Sequence, residues 1–208
     1  MSTKFFTNQD TNTLLNKFKG IFEHNTDIEN FDALVGYFRA SGYFKVRPFL
    51  DNVPHIRILV GIDVDKILAK YQSKGLLFQG DANQTLIEFL SEVKSDIQDA
   101  DYNQEIEEGI LQFIEDIATR KIEIKAHPSK KLHAKIYIFK PKGWNEHKSG
   151  YVITGSSNLT ENGLGGTDNF NYEFNVQLKD YDDVKFASDE FERLWIEGIS
   201  ILPIEINK

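Results

Sequence analysis

The spacing of apolar residues changes near position 120, and this change restricts the chain to folds that combine helices with a sheet. Before it, apolar residues such as Ile106, Ile110 and Phe113 recur three and four positions apart, the stripe of a helix packed on a sheet. After it the period becomes two, which is typical of half-buried strands. Four such segments are Lys121–Lys125, Ala134–Phe139, Tyr151–Gly155 and Tyr172–Leu178.

The upstream part of the chain supplies further elements. Ile56–Ile62 is apolar on both faces and rich in β-branched residues, which predicts a strand inside a parallel or mixed sheet. Phe31–Phe38 predicts another strand, and Ser41–Gly42 predicts a break after it. Helices are predicted over Thr13–Glu23, Leu86–Ile97, Glu105–Thr119 and Asp182–Gly198, and an extended tail over Ser200–Ile206.

Because strands and helices alternate, we expect an α/β fold with a mixed central β-sheet flanked by helices on both faces. The 208 residues suit a single domain spanning residues 1–208. The chain ends shortly after a predicted strand, which suggests one module of a longer protein.

The composition excludes several classes of protein. With 40% hydrophobic and 27% charged residues it is neither disordered nor fibrous. The absence of Cys removes disulfides, thiol nucleophiles and thiolate zinc sites. The amino terminus has no apolar signal region, and no run approaches the ~18 apolar residues that span a bilayer. We expect a cytoplasmic protein that does not bind membranes.

The charge is distributed unevenly. The net charge is −8, which alone disfavours a polyanionic partner. Residues 120–148, however, contain nine Lys or Arg and two Glu, a local charge of +7. This basic segment is either a solvated hairpin or a track for nucleic acid.

Three short polar elements could carry chemistry. His133 and Lys135 stand two apart in a predicted strand and therefore share a face. Gly155-Ser156-Ser157-Asn158 follows the next strand; glycine lets a ligand approach the backbone, and hydroxyl and amide groups suit phosphate oxygens. Glu173 opens a third strand.

Each element alone also has a structural explanation. The lysine could extend its ammonium to solvent from the end of a strand. Asn158 with Glu161 could form a helix capping box. Glu173 could be a polar strand end.

Taken together and in this order, the elements resemble the HKD signature of the phospholipase D superfamily. The segment from Val35 to Asp63 resembles the start of the phospholipase D-like domains fused ahead of bacterial helicases, nearer the nuclease branch than the lipases. Two positions depart from the family pattern. Lys140 stands where the family has an Asp, and Gly155 follows His133 at a longer interval, with the extra residues in the polar stretch Pro141–Gly150. A longer hairpin loop explains that interval.

The resemblance implies a metal-independent phosphodiesterase, a hydrolase of nuclease type acting on nucleic acid, preferentially DNA. His133 would form a phosphohistidine intermediate, and Glu173 would orient its ring. Lys135, Asn158 and Ser156 would stabilise the phosphoryl oxygens beside Gly155. No metal or other cofactor is required. The chemistry needs two histidines and the chain has one convincing motif, so we expect a homodimer with the active site at its two-fold axis.

Two other arrangements of histidine are weaker. A second half-motif, His55–Arg57 with Gly80–Asn83, has Arg in place of Lys and lacks the Ser. A zinc site would need ligands at a recurrent spacing, and the three neighbouring histidines lack it. Those histidines are His127, His133 and His147.

A different class of function stays open. The chain could be a catalytically weak module for nucleic-acid binding and dimerisation that serves a fused or associated helicase, or a restriction or defence system. Lys140 in place of the motif Asp motivates this alternative. Lipid hydrolysis is less favoured, because no basic amphipathic helix of the membrane-seeking kind is evident.

Overall fold

The computed structural model describes residues 3–9, 11–61, 112–113, 115–127, 132–165 and 172–200. The predicted helix Leu86–Ile97, the first part of the predicted helix Glu105–Thr119, the segment Gly80–Asn83 and the tail after Ser200 lie outside these residues. Residues 112, 113 and 115–118 are helical, in agreement with the end of the predicted helix.

The strands of the described residues form one eight-stranded sheet in the order β1-β7-β6-β5-β2-β3-β4-β8. Strands β2, β3 and β4 are parallel to one another, and the remaining pairings are antiparallel. The sheet is therefore mixed, as predicted. The strands are β1 (Phe5–Thr7), β2 (Ile28–Val35), β3 (His55–Gly61), β4 (Ile122–His127), β5 (Lys135–Pro141), β6 (Tyr151–Gly155), β7 (Phe174–Leu178) and β8 (Ile199–Ser200).

Helices cover both faces of the sheet. They are α1 (Leu14–His24), α2 (Ala40–Val46) with the 3₁₀ turn Arg47–Phe49, the short α3 (Glu161–Leu164) and α4 (Tyr181–Glu197). Thr13 caps α1 by accepting from the backbone N–H of Asn16 at 3.2 Å. None of the helices in the described part of the chain combines the length and the apolar character needed to cross a bilayer.

The alternation of side chains along the strands produces two separate cores. On one face, α1 and α2 pack on the sheet around an aromatic cluster in which the Phe18 ring lies 5.0 Å from Tyr137 and 5.2 Å from Phe139. On the other face, Phe191 and Trp195 of α4 cover the opposite side of the same strands. This division follows from the period of two, because neighbouring residues of a strand point to opposite faces.

One predicted break is wrong. β2 ends at Val35, and Ser41 and Gly42 lie inside α2, which begins after the loop of residues 36–39. A Cβ at Gly42 would lie 2.5 Å from the carbonyl oxygen of Leu159. Glycine is therefore required here by the close approach of the loop after β6, not by a turn.

The directions of the strands bring several strand ends to one edge of the sheet. In the antiparallel pair of β2 and β5, Val35 at the end of β2 lies opposite Lys135 at the start of β5. Strand β6 ends beside the start of β5, and β7 begins beside the end of β6. The segments holding His133, Ser156–Asn158 and Glu173 therefore meet at this edge.

Candidate active site

His133 lies just before β5, not within a strand as predicted, and its imidazole contacts Lys135, the first residue of β5. The Lys135 ammonium donates to the backbone carbonyl of His133 at 2.8 Å and lies 3.1 and 3.2 Å from Nδ1 and Nε2 of the imidazole. Because the two distances are nearly equal, the ammonium lies against the ring as a whole and is not directed at one nitrogen. The imidazole is exposed, whereas Lys135 is buried.

Burial shapes the electrostatics of Lys135. Desolvation lowers the pKa of its ammonium below the usual value of 10.5, and the negative charge of Glu173 acts in the opposite direction. The carboxylate is thus close enough to stabilise the charged lysine. This coupling links two of the predicted site residues across the strands.

Glycines at the ends of neighbouring strands make room for the backbone before β5. A Cβ at Gly61 would lie 2.2 Å from the carbonyl oxygen of Leu132, and a Cβ at Gly36 would lie 3.1 Å from the Cα of His133. The segment that presents His133 therefore packs directly on the carboxyl ends of β2 and β3.

Asn158 does not cap a helix. Thr160 caps α3 by accepting from the N–H of Gly163 at 3.1 Å. The Oδ1 of Asn158 instead accepts from the backbone N–H of Tyr37 at 3.0 Å, which fixes the amide across the edge of the sheet. The capping box predicted with Glu161 is wrong, and Asn158 lines a cleft of about 440 Å³ that Glu173 also lines.

Glu173 contacts Ser156 rather than His133. The Ser156 hydroxyl donates to the carboxylate and accepts from the N–H of Phe174 at 3.1 Å. The backbone N–H of Glu173 donates to Oδ1 of the buried Asn8 at 3.0 Å. Within the described residues no hydrogen bond joins Glu173 to His133. The backbone N–H of Ser156 is also engaged, with the carbonyl of Phe174 at 3.2 Å, beside Gly155 at the end of β6.

A buried polar group supports the loop after β6 and was missed by sequence reasoning. Asn175 donates from Nδ2 to the Ser157 hydroxyl at 2.9 Å, and Tyr137 donates from its hydroxyl to the Ser157 carbonyl at 2.9 Å. All three are buried. An Asn in the middle of an alternating strand was the available signal, because a buried amide needs partners.

The departure at position 140 lies away from this edge. Lys140 is near the far end of β5 and points to the face covered by α4, where its ammonium donates to Ser188 at 2.9 Å and lies 3.5 Å from the fully buried Asp32. Arg57 pairs with both Asp32 and Glu192 on that face. A lysine therefore fits this position because carboxylates surround it.

Of the other histidine arrangements, the structure describes His55–Arg57 of the second half-motif and the three histidines of the zinc alternative. Arg57, the lysine equivalent of the second half-motif, is held in the pair with Asp32. His127 is buried at the end of β4, with Nε2 3.2 Å from Glu197, and His147 is exposed in the hairpin loop. Across the described segments, no three His, Cys, Asp or Glu side chains are grouped so that they could hold a metal ion.

Several lysines of the basic segment bind the protein itself. Lys121 donates to the carbonyls of Asp51 and Val53 at 2.8 and 2.7 Å, and Lys125 donates to the carbonyl of Trp195 at 2.9 Å. These ammonium groups bind carbonyl oxygens in the loop before β3 and near the end of α4. Lys121 and Lys125 therefore stabilise the fold, and their ammonium groups are engaged within the protein.

The fold is that of the phospholipase D-like class of phosphodiesterases. Residues 40–195 match the family model described as "Cardiolipin synthase, PLD-like domain", and the chain belongs to this family. No curated protein matched the chain by sequence.

Solved structures show the same fold at low sequence identity. Nuc, a phospholipase D family member from Salmonella typhimurium, is 11% identical with a TM-score of 0.54, over 97% of this chain and 98% of that one. Phosphatidylserine synthase from Haemophilus influenzae Rd KW20 is 13% identical with a TM-score of 0.54, over 98% of this chain and 40% of that one. The chain thus has about the extent of Nuc.

Proposed function

We propose that the chain is a metal-independent phosphodiesterase of nuclease type that cleaves nucleic acid through a phosphohistidine. The observation that carries the proposal is the contact between Lys135 and His133: an exposed imidazole beside a buried ammonium, at the edge where Asn158 and Glu173 also lie. An imidazole with a free lone pair is a nucleophile, and an ammonium beside it offers a counter-charge to the phosphate. Nuc, whose fold is similar, is a phospholipase D family member.

The proposed reaction has two steps. In the first, a ring nitrogen of His133 attacks phosphorus, a P–N bond forms, the P–O bond to the leaving group breaks, and a second imidazolium protonates the departing oxygen. In the second, that imidazole, now neutral, takes a proton from water, and the hydroxide displaces His133 from phosphorus. Lys135 and the Asn158 amide hold the non-bridging oxygens throughout.

The second imidazole is proposed to come from another copy of the chain. In the described residues His133 is the histidine that contacts the motif lysine, and the two-step chemistry needs one nucleophile and one acid. A two-fold axis beside this edge would supply the matching set from the partner subunit. Glu173 would then orient an imidazole across or within the dimer, and Ser156 would hold its carboxylate. Ser156 and Gly155 remain proposed phosphate contacts, although both polar groups of Ser156 are engaged within β6 and β7.

The activity is tested by incubating the protein with single-stranded DNA, duplex DNA and RNA in excess chelator. We expect chelator-resistant cleavage that His133→Ala abolishes. His55→Ala is the matched control, because His55 is exposed at the opposite end of β3 from the site. Equal cleavage by His133→Ala, or no cleavage of any nucleic acid, would contradict the proposal.

The dimer is tested by mixing wild-type protein with His133→Ala and allowing subunits to exchange. If both copies contribute an imidazole, activity falls as the square of the wild-type fraction. A linear fall would show that each chain works alone.

Binding without cleavage in these assays would favour the alternative, a binding and dimerisation module for a helicase or defence system. The position that motivated this alternative, Lys140, lies on the opposite face from the site. Lipid hydrolysis, the less favoured function, is tested by incubating the same protein with liposomes.

A further inference from the structure

The loop after β2, residues 36–39, forms a second wall of the cleft that contains Asn158 and Glu173. Phe38 makes a β-bridge with Leu159, and the N–H of Arg39 donates to the carbonyl of Leu159 at 3.2 Å. The volume of about 440 Å³ lies in the range of small-ligand sites, about 300–1,000 Å³. Backbone hydrogen bonds therefore hold the two walls at a fixed separation.

The side chains of this wall suit a nucleotide. The Arg39 guanidinium is exposed and lies over the half-buried Tyr37 ring, 5.3 Å from its centre. A guanidinium can bind a phosphate through two parallel hydrogen bonds. A tyrosine ring offers a base a flat surface on which to stack, whatever the base.

The rest of the lining excludes an acyl chain. Among the described residues, every side chain that lines the cleft is polar or charged except that of Gly163, which has none. The Tyr37 ring is the largest apolar surface among them, so a lipid tail would leave polar groups without water or partners. The two carboxylates of the cleft are already engaged, Glu161 with Lys45 at 3.5 Å and Glu173 with Ser156, which reduces their repulsion of a phosphate.

We propose that this wall is a nucleotide subsite that selects nucleic acid with an unpaired base at the point of cleavage. Arg39 moves from the Tyr37 ring to hold the phosphodiester next to the one being cleaved, and Tyr37 stacks on the base between them. This inference rests on the proposed function and specifies which class of nucleic acid is the substrate. A base can stack on Tyr37 only when it has left its own base stack, so single strands are the preferred substrate.

The test for Arg39 compares a thymidine dinucleotide, which has one phosphodiester, with the trinucleotide, which has two. Arg39→Gln should lower kcat/KM for the trinucleotide about tenfold to a hundredfold and leave the dinucleotide nearly unchanged. Arg193→Gln is the matched control, an exposed arginine on α4 paired with Glu190. Equal losses on both substrates, or no loss on either, would overturn the subsite. Arg39 is exposed, so the variant should fold.

The test for Tyr37 compares an oligothymidylate with an abasic strand of equal length. Tyr37→Leu should lower kcat/KM about tenfold on the strand with bases and leave the abasic strand unchanged. An equal effect on both strands would refute stacking.

A binding assay separates this inference from the proposed function. Fluorescein-labelled oligothymidylate is titrated with His133→Ala, alone and combined with Arg39→Gln or Arg193→Gln, and anisotropy is measured. If the combination with Arg39→Gln binds more weakly and the combination with Arg193→Gln does not, the subsite is supported, even if wild-type protein cleaves nothing. Unchanged binding with Arg39→Gln counts against the subsite, whether or not cleavage is observed.

Discussion

Lys140 is the position at which the family pattern and the structure make opposite predictions. The family has an Asp there, so restoring it by Lys140→Asp would be expected to improve the site. In the structure Lys140 instead donates to Ser188 at 2.9 Å and lies 3.5 Å from Asp32, which is fully buried. It also contributes to lowering the pKa of Glu192, after the larger effect of the hydrogen bonds from Arg57. We therefore expect the substitution to destabilise the fold without improving catalysis.

The loss of stability in each Lys140 variant depends on which hydrogen bonds the neighbouring carboxylates keep. In Lys140→Met, Asp32 keeps both hydrogen bonds from Arg57, so the loss is that of a charge-assisted hydrogen bond, about 1.5–3 kcal/mol. Lys140→Asp adds a carboxylate beside two others, and we expect about 3–5 kcal/mol, the range for an uncompensated buried charge. At about 2–4 °C per kcal/mol for a domain of this size, Tm falls by about 3–12 °C and 6–20 °C respectively.

The assay is thermal unfolding followed by circular dichroism, with chelator-resistant cleavage measured well below both transitions. Lys185→Met is the control, because it removes an ammonium from the exposed surface of the same helix that covers Lys140. A Lys140→Asp variant as stable as wild type and more active would refute the reasoning. It would show that position 140 acts on the site and that the carboxylates around it do not require a cation.

Arg57→Met removes the two hydrogen bonds that Arg57 donates to the buried Asp32. The free energy of unfolding, measured in urea, should fall by about 3–5 kcal/mol, and a fall of less than about 1 kcal/mol would contradict the buried pair. Gly61→Ala places a Cβ 2.2 Å from the Leu132 carbonyl oxygen, so we expect about 1–3 kcal/mol of destabilisation and reduced cleavage, read from Tm and initial rates. Glu173→Gln removes an anion that raises the pKa of Lys135, so the alkaline limb of the pH–rate profile should move to lower pH; an unmoved limb would show that the two charges are not coupled.

The strand pattern predicted most of the fold. The segment Tyr151–Gly155 is strand β6 with the bounds predicted, and the strands around it differ by one to three residues at their ends. These segments were predictable because each alternates between two cores, which the sequence displays directly. Ser41–Gly42 was misassigned because the reason for its glycine, the backbone of Leu159, is distant in sequence.

The candidate site was predictable only in part. The spacing predicted that His133 and Lys135 share a face of one strand, whereas His133 precedes β5 and contacts Lys135 from the adjoining segment. The anchoring of Asn158 by the Tyr37 N–H spans 121 positions of sequence, and no local pattern signals it. Local rules favoured a capping box instead, because Ser, Thr and Asn three residues before Glu satisfy the same statistical signature whether or not they cap.

The hydrogen bond from the Glu173 backbone to Asn8 ties the edge that holds the candidate site to the first strand of the sheet. Strand β1 is an edge strand paired only with β7 in the described sheet, and Asn8 follows it directly. Proteolytic trimming through residue 8 would remove this anchor while leaving His133 and Lys135 intact. Expression tags and fusion points at the amino terminus should therefore be separated from β1 by a flexible spacer, and loss of activity in a shortened chain need not signal a damaged nucleophile.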